Sequence, residues 1–346
     1  MTGDTHNTEV DLVVSEAEAD ADVGQTSNVT APKERILVIK LSALGDVVIA
    51  MGAFAAIRAA HPDAHITVLT TRLYVDLMKA SGFFDAVAID RRPKLTNVRE
   101  VLALRRFLRN SNFDRVYDLQ TSDRSGFYFK LLWPGEKPEW SGIARGCSHP
   151  HANPDRDNMH SIDRIADQLA YAGILDVPEP SIAAPDIDLE RFGIRSPFVL
   201  ICPGGAPHRP AKRWPAERFG LLAKQLADYR LTPVLIGTEK ESAELAKIDG
   251  MCPKARNLMG RTGFLDIAAL AARSVLAIGN DTGPMHIAAA AGAPSIVLFS
   301  RESDPKKSAP RGIGENAVSI IRENDLRELT AARVMDQVRR RLDLEE

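Results

Sequence analysis

The sequence predicts an α/β protein of two domains, each a parallel sheet covered by helices. Three observations carry this expectation. Short apolar runs alternate with helix-period segments from about residue 35 to 335, the pattern of repeated βα units. Those runs are apolar on both faces, as parallel strands buried between helices must be. Between the two series, Val177 to Pro197 holds four of the chain's 21 prolines (Pro178, Pro180, Pro185 and Pro197), a composition suited to an inter-domain connector. A chain of 346 residues exceeds one ordinary α/β domain and can bury two cores. The expected division is a tail over 1–33, a first domain over 34–180, a linker over 181–197 and a second domain over 198–346.

Each element has its own reason. Residues 1 to 30 hold seven acidic residues and no Lys or Arg. One-sign charge and low hydrophobicity predict a disordered tail outside the fold, and the segment has neither the basic start nor the apolar centre of a signal peptide. Arg35 to Lys40 is the first strand, and Leu41 to Asp46 turns it into a helix over Val47 to Ala60. Strands follow at Ile66–Leu69, Ala86–Ile89 and Arg115–Leu119, with helical segments between them. The helix Asn97 to Asn110 is expected to bury Val98, Val101, Leu102, Ala103 and Phe107 and to turn Arg99, Arg105, Arg106 and Arg109 outward. The second series has strands at Phe198–Ile201, Val234–Ile236, Val275–Ile278 and Ser295–Phe299, with a helix from Ala216 to Tyr229. Thr282 to Ser300 lacks Asp, Glu, Lys and Arg, but Gly292, Pro294 and a helix-to-strand switch break it, so it reads as core rather than a membrane span.

Three strand-to-helix junctions carry the candidate chemistry. At Asn280-Asp281-Thr282-Gly283-Pro284-Met285-His286, Asp281 or Thr282 can cap the helix, Pro284 suits its first turn, and Gly283 would let a ligand approach the backbone. Free N–H groups and the positive dipole end make such a junction an anion site; a well-capped helix is the plainer reading. At Leu41 to Asp46 the turn has one glycine, Gly45, directly before Asp46. That carboxylate is either an N-cap or a reacting group at the mouth of a strand-end crevice. The third junction runs from Cys202 to Pro215. So much Gly and Pro makes it a loop, and Gly204, Gly205, His208, Arg209, Lys212 and Arg213 suit a diphosphate, with Trp214 anchoring it to the core.

Composition narrows the classes. With 45% hydrophobic and 26% charged residues the chain is globular, and a formal net charge of −2 argues against a general polyanion binder. Aromatic content of 6%, without a stacking platform, gives no sign of nucleic acid. Cys147, Cys202 and Cys252 form no C-x-x-C pair, which points to a reduced cytosol. Basic residues nevertheless cluster: from Arg91 to Arg115 there are eight Lys or Arg against Glu100 and Asp114. That cluster is either a solvated helix face or a patch attracted to an anionic membrane surface. His149, His151, Asp155, Asp157 and His160 lie close in sequence, but Pro150 and Pro154 interrupt them and no helix-borne pair forms, so no metal site is expected.

In order along the chain, Lys40-Leu41-Ser42-Ala43-Leu44-Gly45-Asp46-Val47, Asp118-Leu119-Gln120 with Arg124-Ser125, His160-Ser161-Ile162-Asp163-Arg164, Lys212-Arg213-Trp214-Pro215 and Asp281-Thr282-Gly283-Pro284-Met285-His286 resemble the ADP-heptose:lipopolysaccharide heptosyltransferase family, glycosyltransferase family 9. The resemblance covers about residues 35 to 335, and Ala211 to Pro215 is spelled more like the second-heptose branch than the first. It implies a GT-B fold, two Rossmann-like domains whose sheets face across a cleft. It also implies metal-independent, inverting transfer from a nucleotide-diphosphate sugar, a co-substrate rather than a cofactor, to a lipid-linked saccharide acceptor. Asp46 would be the general base and Lys212 would stabilise the leaving diphosphate. Gly204, Gly205, Glu241, Asp281, Thr282, Gly283 and His286 would serve the donor, with Glu241 on the ribose or, alternatively, a helix-start glutamate. Ser42, Gly45, Gln120 and Arg124, with Arg105 and Arg106 of the basic helix, would serve the acceptor. Phe299-Ser300-Arg301-Glu302-Ser303-Asp304-Pro305 departs from the family's usual Phe-Gly-Pro-Thr-Asp-Pro, which leaves donor identity open. A cytoplasmic protein peripheral to the inner membrane face is the expected setting. A nucleotide-sugar epimerase of related architecture and a catalytically silent nucleotide-sugar-binding protein are the rival classes.

Overall fold

Strand β2 (Arg35–Ile39) shows why the first series forms a sheet, because all of its residues after Arg35 are buried and it needs cover on both faces. In the computed structural model, which describes residues 12–14, 34–188, 190–205, 209–314 and 317–345, β2 pairs in parallel with β3 (His65–Thr70) on one side and β5 (Arg115–Asp118) on the other. β4 (Ala86–Ile89) extends the sheet beyond β3, and β6 (Glu139–Gly142) and β7 (His149–Pro150) extend it beyond β5. The seventh strand, β1 (Leu12–Val14), pairs antiparallel with β4. This corrects the expectation that the acidic tail lies wholly outside the fold. Leu12-Val13-Val14 is an apolar, β-branched run, and the edge of β4 offers unpaired backbone groups to receive it. The rest of the tail lies outside the described residues.

The second series is a six-stranded sheet in the order β10-β9-β8-β11-β12-β13, all parallel. Its strands are β8 (Phe198–Cys202), β9 (Thr232–Leu235), β10 (Arg256–Asn257), β11 (Leu276–Asn280), β12 (Ser295–Phe299) and β13 (Val318–Arg322). β8, β11 and β12 are buried along their whole length, and Val199, Ile201, Leu276, Ile278, Ile296 and Leu298 pack with Trp214, Phe219 and Val334 into one core.

The chain divides into two compact units. The first comprises residues up to Ala43, Gly52–Asn158 and Asp163–Pro178; the second comprises Leu44–Met51, Met159–Ile162 and Glu179–Glu346. In each sheet the strand order reverses beside a central strand, between β2 and β5 in the first unit and between β8 and β11 in the second. Ligands of open α/β sheets bind outside the carboxyl ends of the strands at such reversals.

Two helices differ from expectation. The segment expected as one helix over Val47 to Ala60 is two, Leu44–Ile49 and Met51–Ala60, and the first begins three residues early. The helix Val98–Asn110 is capped by Asn97, whose side chain accepts from Glu100 N, but it buries Leu104 and Leu108 and leaves Val98 and Leu102 exposed. The sequence offers two apolar stripes about a third of a turn apart, and packing against Phe113, Tyr128 and Leu132 selects the stripe that includes Leu104 and Leu108.

Candidate active site

At the reversal between β8 and β11, the organising residue is Asn280, the fully buried last residue of β11. Its Nδ2 donates to Pro203 O at 2.7 Å and Gly204 O at 3.2 Å, and its Oδ1 accepts from Trp214 N at 3.0 Å. One amide thus ties the glycine loop after β8 to the turn that carries Lys212. Trp214 fixes the other end of that turn: it is buried, its Nε1 donates to Leu329 O at 2.8 Å, and it meets Phe219 edge-on. Sequence reasoning missed Asn280, although a lone amide ending an otherwise apolar strand was a signal.

The anchored turn delivers Lys212 to Asp281, with Nζ 2.6 Å from Oδ2 and both side chains largely buried. Asp281 therefore holds Lys212 instead of capping a helix. Thr282 occupies the N-cap position of the helix Gly283–Ala290 without a side-chain cap bond, and Pro284 stands in the first turn as expected. The first N–H groups of that helix have no partner within it, so a cation and a helix N-terminus stand together at the end of β11. Arg213 is used otherwise, paired with Glu244 at 2.7 Å and donating to Gly205 O at 2.6 Å. Arg209 is exposed, and His208 lies outside the described residues.

The same unit includes the helix Leu44–Ile49, with Asp46 in its first turn. Asp46 is exposed and is not the N-cap that the plainer reading expected. The helix seats against Gly283–Ala290 through two glycines. A Cβ on Gly283 would stand 2.6 Å from Leu44 Cδ2, and one on Gly45 would stand 3.0 Å from His286 Cδ2. Both glycines thus serve helix-to-helix approach, with Leu44 packed against Gly283 and His286 against Gly45. His286 is buried, and desolvation lowers its imidazole to about 4 despite the opposing charges of Asp281 and Asp46. It is neutral near pH 7. Because the folded value lies below the ordinary 6.5, the stability it contributes is complete above 6.5 and is lost as pH falls towards 4. His160 also acts on His286; its Nδ1 accepts from Ile162 N, and its Nε2 donates to Ala309 O at 3.0 Å. Sequence reasoning quoted His160 within a motif but gave it no role.

Glu241 lies beyond the end of β9, where its Oε2 accepts from Thr238 N at 2.9 Å and Thr238 Oγ1 at 2.6 Å in a capping box. The helix-start role is therefore present, and the stem of the side chain also packs against Gly204. The Phe299 to Pro305 turn closes on itself, with Ser300 Oγ accepting from Glu302 N and Asp304 capping the short helix Pro305–Ser308.

In the first unit, the carboxyl ends of β2 and β5 meet through Gln120, whose Oε1 accepts from Leu41 N at 2.8 Å and Ser42 N at 3.2 Å. Gln120 thus shapes the loop, and Ser42 Oγ accepts from Arg92 at 3.2 Å. Arg124 donates to Pro93 O, and Arg105 to the carbonyls of Leu131 and Trp133, whereas Arg106 is exposed. Asp118 turns the chain towards Gln120: its Oδ1 accepts from Gln120 N and Thr121 N, and Thr121 takes φ 42°.

Asp118 is fully buried, and desolvation raises its carboxyl from 3.8 to about 6. A folded value above the unfolded one gives stability that is complete below 3.8 and is lost as pH rises through 6, about 3 kcal/mol in all. Asp118→Asn removes that titration while keeping the amide oxygen as acceptor. Urea denaturation from pH 4 to 7 is expected to show the variant gaining on the wild type by about this amount as pH rises; parallel stability curves would contradict the assignment.

Comparison with known proteins gives the family and the fold. The model of glycosyltransferase family 9 (heptosyltransferase) matches residues 101–338. The chain is 27% identical over 312 residues to lipopolysaccharide heptosyltransferase 2 of Escherichia coli K12, covering 83% of this chain and 88% of that protein. It is 25% identical over 325 residues to the lipopolysaccharide core heptosyltransferase OpsX of Haemophilus influenzae, covering 86% and 87%. The solved structure of E. coli ADP-heptose lps heptosyltransferase II superposes with a TM-score of 0.73 at 23% identity, over 89% of this chain and 98% of that one. The fold is that of the GT-B heptosyltransferases.

Proposed function

Because the chain belongs to glycosyltransferase family 9 (heptosyltransferase), we propose that it transfers a heptosyl group from ADP-heptose to a lipid-linked saccharide acceptor of the lipopolysaccharide-core type. The observation that carries the reading is the buried Lys212–Asp281 pair beside the N-terminus of the helix Gly283–Ala290. The acceptor oxygen attacks the anomeric carbon, whose bond to the diphosphate oxygen breaks with inversion. Asp46 takes the hydroxyl proton, as a carboxylate beside a cationic, oxocarbenium-like centre can. The electron pair leaves with the diphosphate, and Lys212 and the helix N-terminus stabilise that charge as it grows, without a metal ion. Neutral His286 fits this scheme because it can bond to a phosphate oxygen or a sugar hydroxyl without competing with Lys212 for Asp281.

Donor choice is tested by binding calorimetry with ADP-, UDP- and GDP-sugars. ADP-heptose is expected to bind at least tenfold more tightly than UDP- and GDP-sugars. Equal affinity across the panel, or preference for UDP, would reject the donor assignment. The membrane setting is part of the same proposal: among the described residues no helix is long and apolar enough to cross a membrane, so a lipid-linked acceptor would be met from the surface.

A further inference from the structure

We propose that the face of the first unit made by the helix Val98–Asn110 and the turn that follows Leu131 docks on an anionic lipid bilayer, with Leu95, Val98, Leu102 and Trp133 as its apolar anchor. The proposal extends the reading that the acceptor is lipid-linked, and it goes beyond the basic cluster visible in the sequence. These four side chains are 69%, 62%, 43% and 71% exposed. Single exposed apolar residues are ordinary; a group of them on one basic helix and its neighbouring turn is not. Leu104 and Leu108 already supply the stripe that holds this helix to the core, so Val98 and Leu102 form a second stripe with no fold-building task.

Hydrogen bonds fix the geometry of that second stripe. Val98, Leu102, Arg105 and Arg109 follow the i, i+4, i+7, i+11 spacing and share one side of the helix. Arg105 donates to Leu131 O at 3.1 Å and Trp133 O at 3.2 Å, and Arg109 to Leu132 O at 3.4 Å and Pro134 O at 2.6 Å. Both guanidinium groups are thereby committed to the turn, and Trp133 is held next to the stripe. Tryptophan suits this place because its ring favours the boundary between headgroups and acyl chains.

Charge selects the occupant. Arg99 and Arg106, seven residues apart on the flank of the stripe, are exposed, as are Lys94 before the helix and Lys130 at the end of the helix Asp123–Leu131. Glu100 is the one acid of the basic helix, and it is half-buried. An apolar centre with a cationic flank matches acyl chains under anionic headgroups. A soluble polyanion would engage the cations but leave Trp133 and Leu95 in water. A second copy of a chain with net charge −2 has no comparable reason to present anionic groups around an apolar surface.

The experiment is co-sedimentation of the full chain with vesicles of phosphatidylglycerol and phosphatidylethanolamine, and with phosphatidylcholine alone, at low and high salt. The wild type is expected to bind the anionic vesicles. Leu102→Ser with Trp133→Ser should lower partitioning about tenfold or more at both salt concentrations. Lys94→Gln with Arg99→Gln should lower it about fivefold per cation at low salt only, since surface attraction is screened. Transfer to a delipidated, water-soluble acceptor should be unchanged in both variants, which also shows that they fold. Failure of the wild type to bind anionic vesicles, or equal partitioning of wild type and both variants, would overturn the proposal. So would a wild-type dimer in sedimentation velocity that Leu102→Ser with Trp133→Ser dissociates, which would assign the face to a second copy. Loss of transfer to the soluble acceptor in every form, wild type included, would instead count against the proposed sugar transfer and leave the vesicle result standing on its own.

Discussion

Asp46→Asn is expected to lower turnover by about 10²-fold or more while donor affinity stays within a few-fold. The amide keeps the shape of the side chain in the first turn of Leu44–Ile49 but cannot accept the acceptor's proton at neutral pH. Stability should change little, because Asp46 is exposed and is not the cap of its helix. Steady-state kinetics with saturating donor, together with calorimetry of nucleotide binding, separates the two effects. A variant with near-normal turnover would reduce Asp46 to a carboxylate favourably placed at a helix N-terminus and would remove the base from the mechanism.

Lys212→Ala should weaken donor binding and slow transfer together, with a loss of about 2–4 kcal/mol in transition-state stabilisation, the effect of removing one fixed donor from an anion site. The variant also leaves Asp281 largely buried without its cation, so a carboxylate would repel the diphosphate where an ion pair stood. Lys212→Ala with Asp281→Asn tests this directly: if part of the loss comes from the uncompensated charge of Asp281, the double variant recovers donor affinity while catalysis stays slow. Unchanged catalytic efficiency in Lys212→Ala would shift the phosphate role to Arg209, because Arg213 is occupied by Glu244 and Gly205.

The elements that sequence reasoning reached are those whose causes are local. Phe198–Cys202 and Ser295–Phe299 read as strands because a run apolar on both faces has few alternatives in an alternating chain. Trp214 was legible as an anchor because a large aromatic ending a Gly- and Pro-rich loop has to be buried somewhere. What escaped depends on partners far along the chain. Asp281 looks like a helix cap in its own segment, and only Lys212, 69 residues away, turns it into half of an ion pair. Leu44 joins a helix, although Gly45 follows it, because that glycine and Gly283 let two helices approach closely. Neither glycine's neighbour in space is a neighbour in sequence. The helix Val98–Asn110 carries two apolar stripes, and periodicity alone could not say which one faces the core. Asn280 shows the same limit, since its amide matters only once Pro203, Gly204 and Trp214 have been brought to it.

The central claim, transfer of a heptosyl group to a saccharide acceptor, is tested most directly by incubating the wild-type chain with ADP-heptose and a delipidated lipopolysaccharide-core acceptor. The mass of the acceptor and the release of ADP are then followed together. The mechanism predicts that the acceptor gains one heptosyl residue for each ADP released, that chelator leaves the rate unchanged, and that no ADP appears without acceptor. ADP release without any gain in acceptor mass, or a changed sugar still attached to the nucleotide, would contradict it.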